Sequence, residues 1–367
     1  MRVRLEDVCE KESSKLKQSD VIDQNGLYPV YGASGYLGNI NTYQQSNYYI
    51  AVVKDGAGIG RTMLLPPESS IIGTMQYLIP KDNVLPEYLY YVVKAKHLEK
   101  YFSGATIPHI YFKDYKNEQF DLVSFEEQRV IINRLQKIEI IIDNLSKNLL
   151  LLDELVRARF VEMFGDPRIN EKKWKAGKIV DYFEVKGGKR IPKGMGYAER
   201  KTNHPYLRAS DMKNATILDD DIHYIDEEVY KRIKRYTVNA HDIYLTNVGV
   251  NLGMAGVIPK QYDGANLTEN AVKLVPKDKI LLNGMFLSYY INSPGIQHYI
   301  NERKMSVGVP KLAIFRIESM PLLLPPLELQ NQFASFVEEV DKSRSRIQKS
   351  LEASQELFDS LMQEYFG

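Results

Sequence analysis

The chain has 367 residues, of which 48 are basic and 47 acidic, so its formal net charge is +1. With 44% hydrophobic and 26% charged residues, it has the composition of a globular protein of two or three domains, which excludes a histone-like polybasic binder. The single cysteine, Cys9, excludes an intrachain disulfide and a cysteine-rich zinc site, and the sequence has no run of 18 apolar residues that predicts a membrane span. We therefore expect a cytoplasmic protein.

In chain order, two stretches of mixed strand and helix pattern each precede a long helix. Short apolar runs bounded by glycine or proline predict strands, and longer runs predict helices. The predicted short elements are strands at residues 48–54 and 76–79, a helix at 85–102, strands at 242–246 and 271–275, and a helix at 281–300.

The long helices are predicted at residues 125–165 and 327–367, a length of roughly 60 Å each at 1.5 Å per residue. The first has apolar residues at alternating spacings of four and three, which is the pattern of a coiled-coil seam. The second seam is poorer because Arg344 and Ser354 interrupt it. The seam residues of the first helix are Ile131, Leu135, Ile138, Ile142, Leu145, Leu149, Leu152 and Val156.

The two halves of the chain match each other. Phe164-Gly165 near the end of the first long helix matches Phe366-Gly367 at an offset of 202 residues, and the same offset aligns proline 108 with proline 310 without a gap. Farther upstream the offset falls to 193, where the glycine at position 56 matches the one at 249. These matches predict a duplicated module with a variable front and a rigid helical back.

The segment GAGIG at residues 56–60 follows a predicted strand, so a nucleotide-binding loop has to be considered. A dinucleotide loop opens a helix, whereas residues 61–65 have the pattern of a second strand, which favours a tight turn between strands. The sequence contains no HExxH, GxSxG or adenine-methyltransferase (Asn/Asp-Pro-Pro-Tyr) motif. It therefore predicts no catalytic constellation.

Basic residues cluster between Lys172 and Lys213, where 12 Lys or Arg stand against four Asp or Glu. Within this region KGGKRIPKG, at residues 186–194, is a basic segment interrupted by glycines, and a second basic cluster lies at residues 303–311. Clustered positive charge in a neutral protein is typical of a phosphate-binding surface. An ordinary solvated loop has the same composition, and this alternative stays open.

Taken together, these motifs resemble the specificity subunit of Type I restriction–modification enzymes, HsdS. The resemblance extends over essentially the whole chain, and its most specific parts are the duplication and the Pro-Pro-x-Glu-x-Gln start of the second long helix. The first half departs by having SFEEQ at its helix start and by lacking a KGGKR segment. The matching segments are YPVYGASG at 28–35, SFEEQ at 124–128, MFGDP at 163–167, KGGKRIPKG at 186–194, PYLRASD at 205–211, SVGVP at 306–310 and LPPLELQ at 324–330.

The resemblance implies an α+β fold with two α/β target recognition domains in a pseudo-two-fold arrangement, separated by two long antiparallel coiled-coil helices. The implied recognition domains are residues 1–124 and 166–326, and the implied spacer helices are residues 125–165 and 327–367. Each recognition domain is then expected to read one half of a bipartite asymmetric DNA site. The helices are expected to set the spacing and dock methyltransferase subunits, and the chain is expected to catalyse nothing itself.

The partners implied by the resemblance are double-stranded DNA, two methyltransferase subunits and motor–nuclease subunits, with no membrane. We expect the chain to hold no cofactor or metal, because S-adenosylmethionine, ATP and magnesium are implied only for the partner subunits. Two alternatives remain: a coiled-coil adaptor that binds proteins, and an enzyme whose site the motifs do not show. A DNA reader loses affinity steeply with salt, which an adaptor need not do.

The candidate DNA-contacting residues are cationic or short polar side chains in the loops. Lysine and arginine suit phosphates, and short side chains on a tight backbone can approach base edges, for which the segments 54–61, 103–109, 246–251 and 304–311 are the candidates. The candidate DNA contacts are Ser34, Lys54, Arg61, His109, Lys186, Lys189, Arg190, Lys193, Arg208, Ser210, Lys213, Asn247, Asn251, Lys304 and Lys311. The candidate partner contacts are the apolar helix positions Ile132, Ile141, Leu150 and Phe336.

Overall fold

The computed structural model describes every residue except 23, 105–107, 214, 278–281 and 306. The chain divides into two compact units, of which unit 1 contains Met1–Asn148 and Ile347–Gly367 and unit 2 contains Leu149–Arg346. Both boundaries fall inside a long helix, so each unit holds one front segment and part of each helix. The functional division at residues 124, 165 and 326 stays a prediction.

Unit 1 begins with short strands and ends its front segment at the first long helix. The strands described there are β1 Arg2–Arg4, β2 Cys9–Ser13, β3 Tyr28–Gly32, β4 Gly35–Ile40, β5 Tyr49–Val53, β6 Thr62–Leu65, β7 Ser70–Ile71, β8 Met75–Pro80 and β9 Gln119–Asp121. The helices are α1 Leu5–Val8, α2 Pro86–Ala95, α3 Phe112–Tyr115 and α4 Phe125–Phe164, with 3-10 turns at Gln18–Asp20 and Leu98–Tyr101.

The central sheet of unit 1 has the strand order β2-β8-β5-β6, with every neighbouring pair antiparallel. All residues of β5 are buried, because the sheet is covered on both faces. Alternate side chains of a strand point to opposite faces: Tyr49 and Ala51 pack in one cluster, and Ile50 and Val52 pack in another that includes α2 and both long helices. Unit 1 thus has a buried cluster on each face of its sheet, and the one that contains Ile50 and Val52 lies between the sheet and the helices.

Unit 2 repeats this pattern after the end of α4. Its described strands are β10 Lys175–Lys178, β11 Phe183–Gly187, β12 Pro205–Leu207, β13 Met212–Lys213, β14 Thr216–Ile217, β15 His223–Tyr224, β16 Ile243–Thr246, β17 Ala255–Val257, β18 Asn266–Leu267, β19 Ala271–Pro276 and β20 Pro321–Leu324. Its helices are α5 Ile179–Tyr182, α6 Glu227–Ile233, α7 Gly284–Asn292, α8 Pro294–Arg303, α9 Ile314–Glu318 and α10 Leu327–Phe366, with a 3-10 turn at Lys260–Tyr262.

The sheet of unit 2 has the order β11-β19-β16-β17, which is the order of unit 1 strand for strand. The smaller sheets also correspond, since β4-β3-β7 matches β15-β12-β18 and β1-β9 matches β10-β20. Unit 2 adds the β13–β14 hairpin and the helix α6. The change in sequence offset between the two halves indicated extra residues before the second long helix, and these added elements account for them.

A buried glutamine explains why both long helices begin with a glutamine-containing motif. In unit 1, Gln128 accepts a hydrogen bond from the Leu85 N–H at 2.9 Å, at the residue that caps α2. In unit 2, Gln330 accepts one from the Asn283 N–H at 2.8 Å, at the residue that caps α7. Each glutamine satisfies a helix-end donor that burial leaves without water, and so fixes the long helix to the front of its unit.

The long helices run antiparallel within each unit. In unit 2, Phe160 of α4 packs against Phe333 of α10, and Asp153, earlier in α4, pairs with Arg344, later in α10, at 2.6 Å. In unit 1, Leu135 of α4 lies in one core cluster with Phe358, Met362 and Phe366 from the last turns of α10. The predicted fold class, an α+β chain with antiparallel long helices, is confirmed.

Two predicted short helices are broken in the structure. The prediction for residues 85–102 becomes α2 and a 3-10 turn, separated at His97, whose positive φ of 48° interrupts the helix. The prediction for 281–300 becomes α7 and α8, separated before Pro294, which has no N–H to continue α7. Residue 281 lies outside the described residues. No described helix has both the length and the apolar character needed to cross a membrane.

Candidate nucleic-acid interface

In each unit a hairpin turn rich in glycine follows a buried strand of the central sheet. We call it the Gly turn: residues 54–61 between β5 and β6, and residues 247–254 between β16 and β17. Gly56 and Gly249 have φ values of 92° and 102°, a region that favours glycine. Because the turn joins two antiparallel strands, the predicted strand–strand turn is confirmed and a dinucleotide-binding loop is excluded.

A second loop is hydrogen-bonded to each Gly turn. We call it the Pro loop: residues 103–109 in unit 1 and residues 305–311 in unit 2, each closed by backbone bonds between its first and last residues. The bonds in unit 1 are Gly56 N–H to Pro108 O (3.0 Å), Ile110 N–H to Lys54 O (2.9 Å), Ser103 N–H to His109 O (2.8 Å) and His109 N–H to Ser103 O (2.9 Å).

The same set of backbone bonds occurs in unit 2. They are Gly249 N–H to Pro310 O (2.9 Å), Leu312 N–H to Asn247 O (2.8 Å), Met305 N–H to Lys311 O (2.8 Å) and Lys311 N–H to Met305 O (3.1 Å). Since main-chain atoms make these bonds, the same bonds can form in both units although the side chains on the loops differ.

A third segment contacts the Gly turn in both units. We call it the Ala-Ser turn: residues 33–34 and residues 209–210. In unit 1 the Arg61 guanidinium donates to the carbonyl of Ala33 at 2.8 Å. In unit 2 the Asn251 side chain donates to the carbonyl of Ala209 at 3.3 Å. Three segments that are distant in sequence thus meet in each unit, and Arg61 and Asn251 act as positioning residues there.

Unit 2 adds the basic loop, residues 186–194, which leaves the sheet at the end of β11. The Lys189 N–H donates to the carbonyl of Leu267 at 2.8 Å, and the Gly188 N–H donates to that of Ala271 at 3.1 Å. A Cβ on Gly188 would lie 2.0 Å from the carbonyl oxygen of Thr268, so this close approach requires glycine. The basic loop is therefore held against the segment that leads into β19.

The segment between β18 and β19 connects the basic loop to the Gly turn. The Asn247 N–H of the Gly turn donates to the carbonyl of Asn270 at 2.9 Å. The next residue, Ala271, is the one whose carbonyl accepts from Gly188 of the basic loop. Glu269 accepts from the Arg190 guanidinium at 2.6 Å. Burial is the largest single influence and raises the pKa of Glu269, but the hydrogen bond and charge of Arg190, together with further hydrogen bonds, outweigh it, so the pKa lies below its usual value. Arg190 is itself 78% exposed, so its guanidinium still faces solvent.

Unit 1 has a basic segment in the same place, which sequence reasoning missed. β2 pairs with β8 as β11 pairs with β19, and this register places Lys15 where unit 2 has Lys189. Lys15 and Lys17 are both exposed. The sequence signal is the run SKLKQ at residues 14–18, but the matches between the two halves begin at residue 29 and do not relate this run to the basic loop.

Arg208 makes internal ion pairs instead of facing solvent freely. Its guanidinium contacts the buried carboxylate of Asp211 at 2.6 Å and the exposed carboxylate of Asp221 at 3.0 Å, and a third hydrogen bond reaches His223 at 3.2 Å. The hydrogen bond to Asp211 raises the pKa of Arg208 above its usual value. Because two carboxylates already neutralise this side chain, its predicted phosphate contact is less direct than that of the basic loop.

Several other candidates lie on the surface of these segments. Lys186 pairs with Glu184 at 2.6 Å, and Lys304 donates to the Asn301 side chain at 2.7 Å. The candidates with exposed side chains are Ser34, Arg61, Lys186, Lys189, Arg190, Lys193, Ser210, Lys213 and Lys311, and those of intermediate exposure are Lys54, His109, Asn251 and Lys304.

One candidate is buried. Asn247 is only 6% exposed, and its amide nitrogen lies 3.5 Å from the carbonyl of Leu312 at the junction of the Gly turn and Pro loop. Burial places this side chain inside the junction and counts against its predicted contact with DNA.

The candidate partner contacts fall into two groups. Ile141 and Leu150 are exposed on α4, at 48% and 66%. Ile132 is buried in the unit 1 core, and Phe336 packs against the unit 2 core with the Arg159 guanidinium 6.0 Å from its ring. Burial leaves Ile132 little surface for a partner, so we carry Ile141 and Leu150 forward.

The arrangement of these segments suits binding. Among the described residues, no group of three or more His, Cys, Asp or Glu side chains is placed to hold a metal ion. The groups that meet in each unit include main-chain atoms, basic side chains and short polar side chains on loops joined by backbone hydrogen bonds. These are the groups that contact nucleic-acid backbones and base edges.

Comparison with known proteins agrees with the two-unit fold. A solved structure of the S subunit of a Type-I restriction-modification system from M. genitalium has a TM-score of 0.63 at 17% identity, covering 100% of this chain and 96% of that one. A second, from work on complex assembly and conformational transition of the type I R-M system, has a TM-score of 0.61 at 14% identity, covering 100% and 97%. These likenesses show the fold.

Sequence comparison identifies the family. The chain is 24% identical over 306 residues to the MjaIX Type I restriction enzyme specificity subunit of Methanocaldococcus jannaschii, covering 78% of this chain and 69% of that protein. The family model described as the Type I restriction modification DNA specificity domain matches residues 1–151 and 171–355. Because these two regions include most of the sequence, the chain belongs to the Type I restriction modification DNA specificity family.

Proposed function

We propose that the chain is the DNA-recognition subunit of a Type I restriction–modification complex and that each unit reads one half of a bipartite asymmetric site. The observation that carries this proposal is the repeated junction of Gly turn, Pro loop and Ala-Ser turn. Each unit joins its Gly turn to its Pro loop by equivalent backbone bonds and holds its Ala-Ser turn by a side chain, Arg61 in unit 1 and Asn251 in unit 2. The other side chains on the junction differ between the units. Two recognition units that share a backbone arrangement but differ in their surface side chains suit a DNA target whose two halves differ in sequence.

Positive charge beside the junction supports DNA as the ligand. Lys189 and Arg190 in unit 2, and Lys15 in unit 1, follow the edge strand of the central sheet at the end of the sheet from which the Gly turn also leaves. In this proposal lysines and arginines neutralise phosphates and fix the register, while the joined loops approach base edges. The chain itself binds no cofactor and catalyses no reaction. Methylation with S-adenosylmethionine, and cleavage with ATP and magnesium, are assigned to the partner subunits.

The long helices are assigned to spacing and docking. Their outer surface includes the exposed apolar side chains Ile141 and Leu150, which suit contact with a methyltransferase subunit. Replacing either by glutamate is expected to reduce co-purification of that subunit, whereas Lys147→Ala on the same helix should leave it unchanged. If all three variants co-purify equally, the docking surface lies elsewhere.

The experiment that tests the function is a map of methylated adenines. DNA from cells that express this chain with its methyltransferase partner should carry methylation at a split motif, with two specified halves and an unspecified spacer. Cells that express the methyltransferase without this chain are the control and should lack that motif. A contiguous motif would contradict the two-reader proposal, and absence of any motif, with binding insensitive to salt, would favour a protein adaptor.

A further inference from the structure

The joined loops of unit 2 carry a group of exposed apolar side chains. We call it the apolar tip: Val250 of the Gly turn, and Met305, Val307 and Val309 of the Pro loop. Val250 and Val307 are 99% and 97% exposed, and Val309 and Met305 are 66% and 62% exposed. Branched apolar side chains this exposed, on loops fixed by several backbone hydrogen bonds, indicate a surface that a ligand covers.

The backbone register brings these residues together. Val248 and Lys311 form an antiparallel bridge, and the Gly249 N–H bonds to the carbonyl of Pro310. The next residues along the two segments are Val250 and Val309. The bridge between Met305 and Lys311 closes the Pro loop, so Val307 lies on the same short loop beside Gly308, whose φ is 78°. The tip is therefore one surface contributed by two joined loops.

The surroundings of the tip favour a polyanionic ligand with an apolar feature. Neither the segment 246–254 nor the segment 304–311 contains Asp or Glu, while the second contains Lys304 and Lys311. Arg303, just before it, is paired with Glu302 at 2.9 Å. Apolar side chains framed by lysines suit DNA, because lysines pair with phosphates and the thymine 5-methyl group is an apolar feature of the major groove. Gly249 and Gly308 have open space where a Cβ would lie, so the backbone can also approach closely.

We propose that the apolar tip of unit 2 reads thymine, by packing Val250 and Val307 against 5-methyl groups in the major groove. The inference rests on the proposed function and adds the chemistry by which unit 2 recognises the bases of its half-site. Unit 1 has Ala57 where unit 2 has Val250, and Ser103 where unit 2 has Met305. Its counterparts of Val307 and Val309 lie outside the described residues. Methyl reading is therefore assigned to unit 2.

The test removes only the methyl group. With the full chain assembled with its methyltransferase and the half-sites mapped, each thymine of the unit 2 half-site is replaced in turn by deoxyuridine, and affinity is measured by fluorescence anisotropy. At one or more positions affinity should fall about fourfold, which corresponds to the roughly 0.8 kcal/mol of one buried methyl group. Val250→Thr and Val307→Thr keep the side-chain shape and should abolish the difference between thymine and uracil. Val180→Thr, at an exposed valine outside the tip, should keep it.

Three outcomes would overturn the inference. The first is that the unmodified duplex binds but deoxyuridine lowers the affinity at no position. A tip inserted in the minor groove would give this result, because the 5-methyl group lies in the major groove. The second is that the thymine–uracil difference survives in both threonine variants. The third is that these variants bind DNA normally and lose the methyltransferase subunit, which would make the tip a protein contact. Failure of the proposed function is distinguishable, because the unmodified duplex would then show no specific binding.

Discussion

The two units differ most where their frameworks agree most closely. At the bridge between Gly turn and Pro loop, unit 1 has Asp55 and His109, whose side chains are 2.7 Å apart, and unit 2 has Val248 and Lys311. The main-chain bonds at this bridge are nevertheless the same. The comparison teaches that backbone atoms hold the reader in shape while side chains remain free to differ, so specificity can change without refolding the unit.

The largest expected effect is the loss of stability when one buried phenylalanine is removed from the core of a single unit. In unit 1 the ring centroids of Phe366 and Tyr88 are 5.3 Å apart. In unit 2 the ring centroids of Phe164, the repeat counterpart of Phe366, and Phe286 are 4.6 Å apart. Each is almost completely buried, so replacement by alanine should cost about 3–5 kcal/mol. In hydrogen exchange, Phe366→Ala should reduce protection in β5 and β8, and Phe164→Ala in β16 and β19.

Each phenylalanine variant serves as the control for the other. If either variant lowers protection equally in both units, the units unfold as one body and the comparison between two separate cores is broken.

A smaller effect is expected at the base of the basic loop. A Cβ on Gly188 would lie 2.0 Å from the Thr268 carbonyl oxygen, whereas one on Gly187 would be 3.9 Å from its nearest neighbour, in Ile314. Gly188→Ala should therefore cost about 1–3 kcal/mol, as overpacking does, and weaken DNA binding. Gly187→Ala is the matched control and should be nearly neutral. Urea unfolding and DNA titration measure both, and equal behaviour of the two variants would show that the close approach is not required.

The smallest expected effect is on the salt dependence of DNA binding, and it tests whether the basic segments of the two units have the same role. Replacing Lys189 and Arg190 together by alanine should reduce the slope of log affinity against log salt by about 0.9 for each phosphate that is no longer neutralised. The same replacement of Lys15 and Lys17 should give a similar change in unit 1. Lys147→Ala, on a helix surface, is the control and should leave the slope unchanged. A change for unit 2 alone would show that unit 1 binds phosphates through other residues.

The sequence predicted the architecture because the repeat and the helical spacing are local patterns. The 4-3 spacing that begins at Ile131 is visible without any tertiary contact, and so is the glycine pattern at residues 56–60. The break between α7 and α8 also has a local signal, Pro294, because proline cannot continue a helix. The 3-10 turn after α2 had no such mark, because the positive φ of His97 depends on its surroundings.

The candidate site was predictable as segments and not as side-chain roles. Loops rich in lysine and glycine pointed to the right regions, but the ion pairs of Arg208 depend on Asp221, 13 residues away in sequence. The burial of Asn247 depends on Leu312, 65 residues away. Lys15 was missed because only strand pairing relates it to Lys189. Long-range contacts of this kind leave no periodic trace in one sequence.

The most direct test of two independent readers is to exchange one of them. Residues 172–326 can be replaced by the corresponding front of another specificity subunit, with methylated adenines mapped in cells that also express the methyltransferase partner. The account predicts that one half of the methylated site changes to the donor's half while the other half and its adenine stay the same. A change in both halves, or in neither, would contradict the claim that each unit reads its own half-site.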